Sequence, residues 1–205
     1  MIQNLENQSL LTFTEQLAAK APVPGGGGAA ALIGALASAL AAMAGRYSIG
    51  KGSAHESELQ DAVDSAERLR LRLLELVDAD AEAFAPLAAA WKLPKDDAGR
   101  DEAIENATRN ACLAPLQMAR CCAALLPALE TLSAHGSRML RSDVGCAALA
   151  CAAALECAGM NLLVNTRELP DGAAMERELD ALTADALPRA RQLAADVTAS
   201  LRGSD

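Results

Sequence analysis

The chain has 205 residues, 52% of them hydrophobic and 22% charged, with a formal net charge of -9 and a pI of about 4.8. These values suit one domain spanning residues 1–205 with a sizeable core, and the acidity argues against nucleic acid as a partner. Aromatic residues reach only 2%, so the core must be built from Ala, Leu, Val and Met, which lets helices approach closely.

The segment Met1 to Glu6 has neither a basic region nor an apolar run, so no signal peptide is expected. Thr12-Phe13-Thr14-Glu15 matches a capping box and predicts a short helix from about Phe13 to Lys20. Pro22-Val23-Pro24 then denies the backbone two donors and cannot begin inside a helix. Gly25, Gly26, Gly27 and Gly28 follow, and they allow positive φ and close approach to a ligand. Two readings stay open here. The run is either a flexible linker or a turn that opens a helix, with unpaired N–H groups at the positive end of the helix dipole.

Ala29 to Ala44 is uncharged and predicts a helix running to about Arg46. Its length is near the lower limit of about 17 residues for a membrane span. It is mostly alanine, however, with no aromatic belt and no second strong span expected, so no membrane partner is expected. Gly34, Ser38 and Ala42 recur at i, i+4 and i+8, which marks a central helix buried on most faces. Residues 46–52 read as a loop carrying Arg46 and Lys51.

Leu59, Val63, Ala66, Leu69, Leu73, Leu76 and Val77 recur at helical spacing and predict a helix over about 54–90, broken before Pro94. Asp78, Asp80 and Glu82 cluster near its far end, and Asp80 and Phe84 share a face. A helix is predicted over about 99–134, bent or restarted near Pro115. Ser142 or Asp143 caps the next, apolar nearly all round from Cys146 to Val164. It carries Glu156, Asn161 and Asn165, and the two asparagines are i, i+4. Pro170-Asp171-Gly172 turns the chain into a last amphipathic helix over about 174–201, disturbed at Pro188. No segment alternates with period two. The fold is predicted to be all-α, five to six helices around a buried Ala-rich pair.

The six cysteines form no C-x-x-C, and only His55 and His135 could join them as ligands, so no metal site is expected. All six lie in apolar helical context and read as buried reduced thiols, a cytoplasmic pattern. Polar groups on near-continuous apolar helices are costly unless bonded. Asp80, Asp143, Glu156, Asn161 and Asn165 therefore need explaining. Asp143 is a helix cap or an acid, Asp80 a solvated or a buried carboxylate. The asparagines are core hydrogen-bonders or ligand contacts.

Taken in order, Pro22 to Ala31, Ser48-Ile49-Gly50-Lys51, Asp80-Ala81-Glu82-Ala83-Phe84, Leu93-Pro94-Lys95, Ser142-Asp143-Val144-Gly145 and Asn161-Leu162-Leu163-Val164-Asn165 resemble the cyclodeaminase/methenyltetrahydrofolate cyclohydrolase family. The resemblance covers about residues 10–200. It implies an all-helical homodimer, a tetrahydrofolate-type small molecule as substrate, and a folate site containing the glycine-rich turn. Two segments depart from the family pattern: Gly52 to His55 and Ser137 to Arg141. On this reading Asp143 or Asp80 is the acid/base and Lys51 tunes charge. Pro24 and Gly25 to Gly28 hold the pterin or bridging region, and Asn161 and Asn165 orient substrate or water. Lys95, Arg138 and Arg141 meet the glutamate tail. No metal or redox cofactor is expected. The expected reaction is hydrolysis of 5,10-methenyltetrahydrofolate. The alternatives are formimidoyltetrahydrofolate cyclodeaminase and a non-catalytic folate-binding or dimerisation module.

Overall fold

A computed structural model describes residues 4–50, 52 and 54–203. Seven α-helices and two short 3-10 turns occupy them, with no strand among the described residues. The helices are α1 (Leu10–Ala18), α2 (Gly26–Arg46), α3 (Glu56–Trp91), α4 (Arg100–Ala111), α5 (Leu113–His135), α6 (Arg141–Thr166) and α7 (Ala173–Arg202). The all-α expectation holds. The helix expected over 99–134 is two helices, divided at Cys112. Pro115 falls in the first turn of α5, where its missing N–H costs no helical bond.

α2 lies at the centre, packed on α3, α5 and α6. Its inner positions are small because neighbouring side chains fill the space beside them. A Cβ on Gly34 would lie 3.1 Å from Leu73 Cδ2, and one on Gly45 would overlap Val63. Ser38 is buried and donates to the Gly34 carbonyl at 3.0 Å, so its hydroxyl is satisfied inside the helix. α3 and α6 flank α2 and bury Leu73, Leu76, Leu155 and Leu162 against it. α7 closes the outside, held to α5 by Arg120–Glu178 and by a bidentate Arg189–Glu130 pair at 2.8 Å. Exposed pairs of this kind contribute at most about 1 kcal/mol each, so α7 is held chiefly by Leu179, Leu193 and Val197.

Several local expectations are corrected. α1 begins at Leu10, and its cap is Ser9, whose Oγ accepts from Thr12 N–H at 3.1 Å, rather than Thr12. α6 begins at Arg141 directly after the 3-10 turn Arg138–Leu140, so neither Ser142 nor Asp143 is its cap. α7 runs unbroken through Pro188. Cys146 is exposed and Cys157 half-buried, while the other four cysteines are buried and all six are free thiols. Burial pushes the Cys112 thiol up to about 11, which leaves it unreactive. Finally, among the described residues three segments are long and apolar enough to cross a membrane, Gly26–Arg46, Arg100–His135 and Arg138–Thr166, where one weak stretch was expected.

Candidate functional site

The glycine run belongs to a helix. Gly26, Gly27 and Gly28 form the first turn of α2, and Gly25 is its N-cap residue. None has positive φ; among the described residues only Gly50 and Gly52 do. The positive φ that the run allows is therefore not used there, and the helix-opening reading holds over the flexible linker. These positions are glycine because other groups occupy the room of a side chain. A Cβ on Gly27 would overlap the Asp80 carboxylate, and one on Gly26 would lie 3.2 Å from Asn161 Oδ1. Pro24 is buried against the start of α2 and does not line the cavity described next.

α3 and α6 bring their polar residues to this helix end. Asp80 stands one helical turn before Phe84 on α3, and Asn161 and Asn165 stand one turn apart near the end of α6. Together with Gly25, Gly26 and Gly27 they line a cavity of about 200 Å³, closed on its apolar side by Phe84, Leu87, Pro115 and Val164. Burial pushes the Asp80 carboxyl above its ordinary value of 3.8, opposed by the hydrogen bond it accepts from Gly28 N–H. Asp80 is the one member of its acidic cluster in the cavity. Asp78 Oδ1 accepts from Leu5 N–H at 2.6 Å, and Glu82 is exposed elsewhere.

The asparagines use their Nδ2 groups within the protein. Asn161 donates to the Cys157 carbonyl at 2.8 Å, and Asn165 donates to those of Asn161 at 3.1 Å and Ala111 at 3.4 Å. That leaves each amide oxygen as an acceptor. The cavity thus offers one carboxylate, two amide oxygens and the N–H groups of Gly26 and Gly27, which have no intrahelical acceptor. A flat, polar-edged ring with several N–H donors matches these acceptors.

The other expected residues lie elsewhere. Asp143, half-buried, stands 18 positions before Asn161 on α6, about 27 Å away along the helix. Arg138 is exposed and Arg141 half-buried beside it, and Lys95 is exposed in the α3–α4 connection. None of these four lines the cavity. Lys51 lies outside the described residues. Glu156 is explained by an ion pair with Arg191 at 2.6 Å. Sequence reasoning missed Phe84 and Pro115 as cavity walls; the i, i+4 spacing from Asp80 was the available signal for Phe84. Trp91, the one tryptophan, stacks edge-on against Phe84 with ring centroids 6.1 Å apart.

Comparison with known proteins points to one family. The sequence model of a family described as formiminotransferase-cyclodeaminase matches residues 9–183. A methenyltetrahydrofolate cyclohydrolase of Methylorubrum extorquens is 36% identical over 189 residues, covering 88% of this chain and 91% of that one. A formimidoyltransferase-cyclodeaminase of Rattus norvegicus is 34% identical over 181 residues, of which the match covers only 34% of its length. The crystal structure of formiminotetrahydrofolate cyclodeaminase from Thermotoga maritima superposes with a TM-score of 0.83 at 29% identity, covering 95% of this chain and 99% of that one.

Proposed function

Since the chain belongs to the formiminotransferase-cyclodeaminase family, we propose that it hydrolyses 5,10-methenyltetrahydrofolate to 10-formyltetrahydrofolate at the cavity around Asp80. The observation that carries this reading is a half-buried carboxylate with a raised pKa, set between a helix N-terminus and two amide oxygens. The bacterial cyclohydrolase, matched over nearly its full length, supports the choice of reaction.

The substrate is an amidinium cation with an electrophilic bridging carbon. Ionised Asp80 stabilises the cation and takes a proton from the water that attacks the carbon. A C–O bond forms and a tetrahedral centre results. The bond from that carbon to N5 then breaks as N5 takes a proton, while the hydroxyl on the carbon gives its proton to water and becomes the formyl oxygen, so the formyl group stays on N10 and one proton is released. Protonated Asp80 is the donor nearest at hand, and its raised pKa suits both directions of transfer. The oxygens of Asn161 and Asn165 accept from the pterin N–H edge. The chemistry balances with these groups and water.

A second reading has its own support. The superposed Thermotoga protein is named a cyclodeaminase, and ring closure of the formimidoyl compound with loss of ammonia passes through a similar tetrahedral centre. Steady-state assays with methenyl- and formimidoyl-tetrahydrofolate separate the two. Turnover of the first alone supports the cyclohydrolase and turnover of the second the cyclodeaminase. Binding of folate without turnover of either reduces the chain to a folate-binding module.

The working unit in this reading is a homodimer. α2 and α6 lie side by side, and both present apolar residues outward: Leu36 on the first, and Leu149, Met160 and Val164 on the second, each more than half exposed. A contiguous apolar face over two long helices is what an obligate interface covers. A two-fold axis through the middle of that face would set the start of one α6 against the end of the other. Asp143 and Arg141 of the partner subunit would then approach the cavity they cannot reach in their own chain.

A further inference from the structure

Both histidines of the chain meet at the end of the bundle opposite the cavity. His55 precedes the first turn of α3, and His135 is the last residue of α5. Their rings stack with centroids 3.7 Å apart and planes inclined by 17°. Glu58 reaches both: its Oε1 lies 3.1 Å from His55 Nδ1 and its Oε2 lies 3.8 Å from His135 Nε2. One ligand atom from each residue lies within 4.8 Å of the others. A groove of about 250 Å³ beside Glu58 adds the carboxylate of Asp61.

We infer that His55, Glu58 and His135 bind one divalent first-row transition ion of the zinc class. Two imidazoles and a carboxylate are a borderline donor set, suited to Zn²⁺, Co²⁺, Ni²⁺ or Cu²⁺ and not to Mg²⁺ or Ca²⁺. Tetrahedral Zn²⁺ with bonds of about 2.0–2.2 Å holds its ligands about 3.4 Å apart. The three donors stand within 4.8 Å of one another, so a modest side-chain adjustment reaches that spacing. The side chains are partly exposed, between 31% and 57%, so they can adjust and water can fill the fourth position. Coordination requires the stacked rings to splay, because two ring-plane lone pairs must converge on one point. Glu58, beside the stack and in reach of both rings, is the pivot.

The ion is not a catalyst for the proposed reaction. Glu58 precedes Asp80 by 22 positions on α3, about 33 Å. Its effect is mechanical: it ties the first turn of α3 to the last turn of α5, two elements about 80 positions apart in sequence. The same end already holds the α2–α3 connection through Ser48 Oγ, which accepts from Ser137 N–H at 2.8 Å, and through Glu56, which accepts from Gly50 N–H at 2.9 Å. An ion there completes a clamp on that connection and raises stability by mass action.

Tag-free, chelator-treated full-length protein titrated with Zn²⁺ in a calorimeter tests this. One ion per chain is expected, with a rise in Tm on zinc addition and no heat or Tm change with Mg²⁺. His55→Ala, His135→Ala and Glu58→Gln should each weaken zinc binding by more than about tenfold, the loss that even an outer-shell partner can cause. Circular dichroism checks that each variant is folded. Cys146→Ser, at the exposed thiol, should leave affinity unchanged, and bound Co²⁺ should show visible bands without thiolate charge transfer. Absence of saturable binding overturns the proposal. So does binding that survives in a His55→Ala/His135→Ala double variant, or that disappears in Cys146→Ser.

Discussion

In the proposed reaction, Asp80 is where chemistry and stability oppose each other. Its folded-state pKa is raised by burial. Folding therefore favours the protonated acid, and that benefit is fully present below the unfolded value near 3.8 and lost as pH rises through the folded value. At neutral pH the ionised carboxylate is a net cost. Asp80→Asn keeps the shape and can still accept from Gly28 N–H. It should reduce turnover by about 100-fold or more while leaving Tm at neutral pH unchanged or higher, and thermal melts across pH should show that difference vanish toward acid. The acid limb of kcat/KM for the unsubstituted enzyme should lie above pH 3.8, and its absence from that range would remove Asp80 from the base role. Gly27 is the complementary position. Gly27→Ala puts a methyl where the carboxylate sits, so Asp80 must move, and calorimetry should show folate affinity lost with the helical spectrum kept. The strain comes from overlap, since φ there is ordinary.

At the scale of the element, periodicity made the helices legible and local chemistry hid their ends. The repeat of Leu59, Val63, Ala66 and Leu69 marked α3 because one face is buried throughout. Gly25 to Gly28 read as a turn because glycine carries the same signature whether it supplies positive φ or merely makes room. Only the third dimension tells which. Asp143 read as a cap because Ser-Asp before an apolar run is a cap signature, yet a 3-10 turn feeds α6 directly and the backbone supplies the first bonds. Asp80, Asn161 and Asn165 were legible as polar residues on apolar helices. Their meeting was not, because it depends on α2 and α6 packing with opposite ends together. The small residues of α2 have a measurable role. Gly45→Ala would drive a methyl into Val63, and overpacking of this kind costs about 1–3 kcal/mol, to be read as a lowered midpoint in urea unfolding.

The outward faces of α2 and α6 are apolar along most of their length, and the proposed dimer covers them. Leu149→Glu, near the middle of the α6 face, should shift the protein from dimer to monomer in sedimentation velocity and abolish turnover without unfolding it. Retention of the dimer would move the interface elsewhere. A stricter test mixes two inactive proteins. Asp80→Asn and Asp143→Asn chains, unfolded together and refolded, should form heterodimers with one intact site in two. Random pairing then restores about a quarter of the unsubstituted rate. No recovery from two variants each inactive alone would exclude a site shared between the subunits, and activity of Asp143→Asn alone would leave Asp143 without a part in the reaction.

The scarcity of aromatic rings has an optical consequence. Trp91 is the sole tryptophan, and it leans on Phe84, which walls the cavity. Its emission is therefore a single-source signal at the rim of the site, with no second indole to dilute it. A bound pterin absorbs light in the region where tryptophan emits, so occupancy should quench that emission in proportion to the fraction of sites filled. If the proposed site holds the pterin, a titration followed by fluorescence alone should read its affinity in each cavity variant without a label.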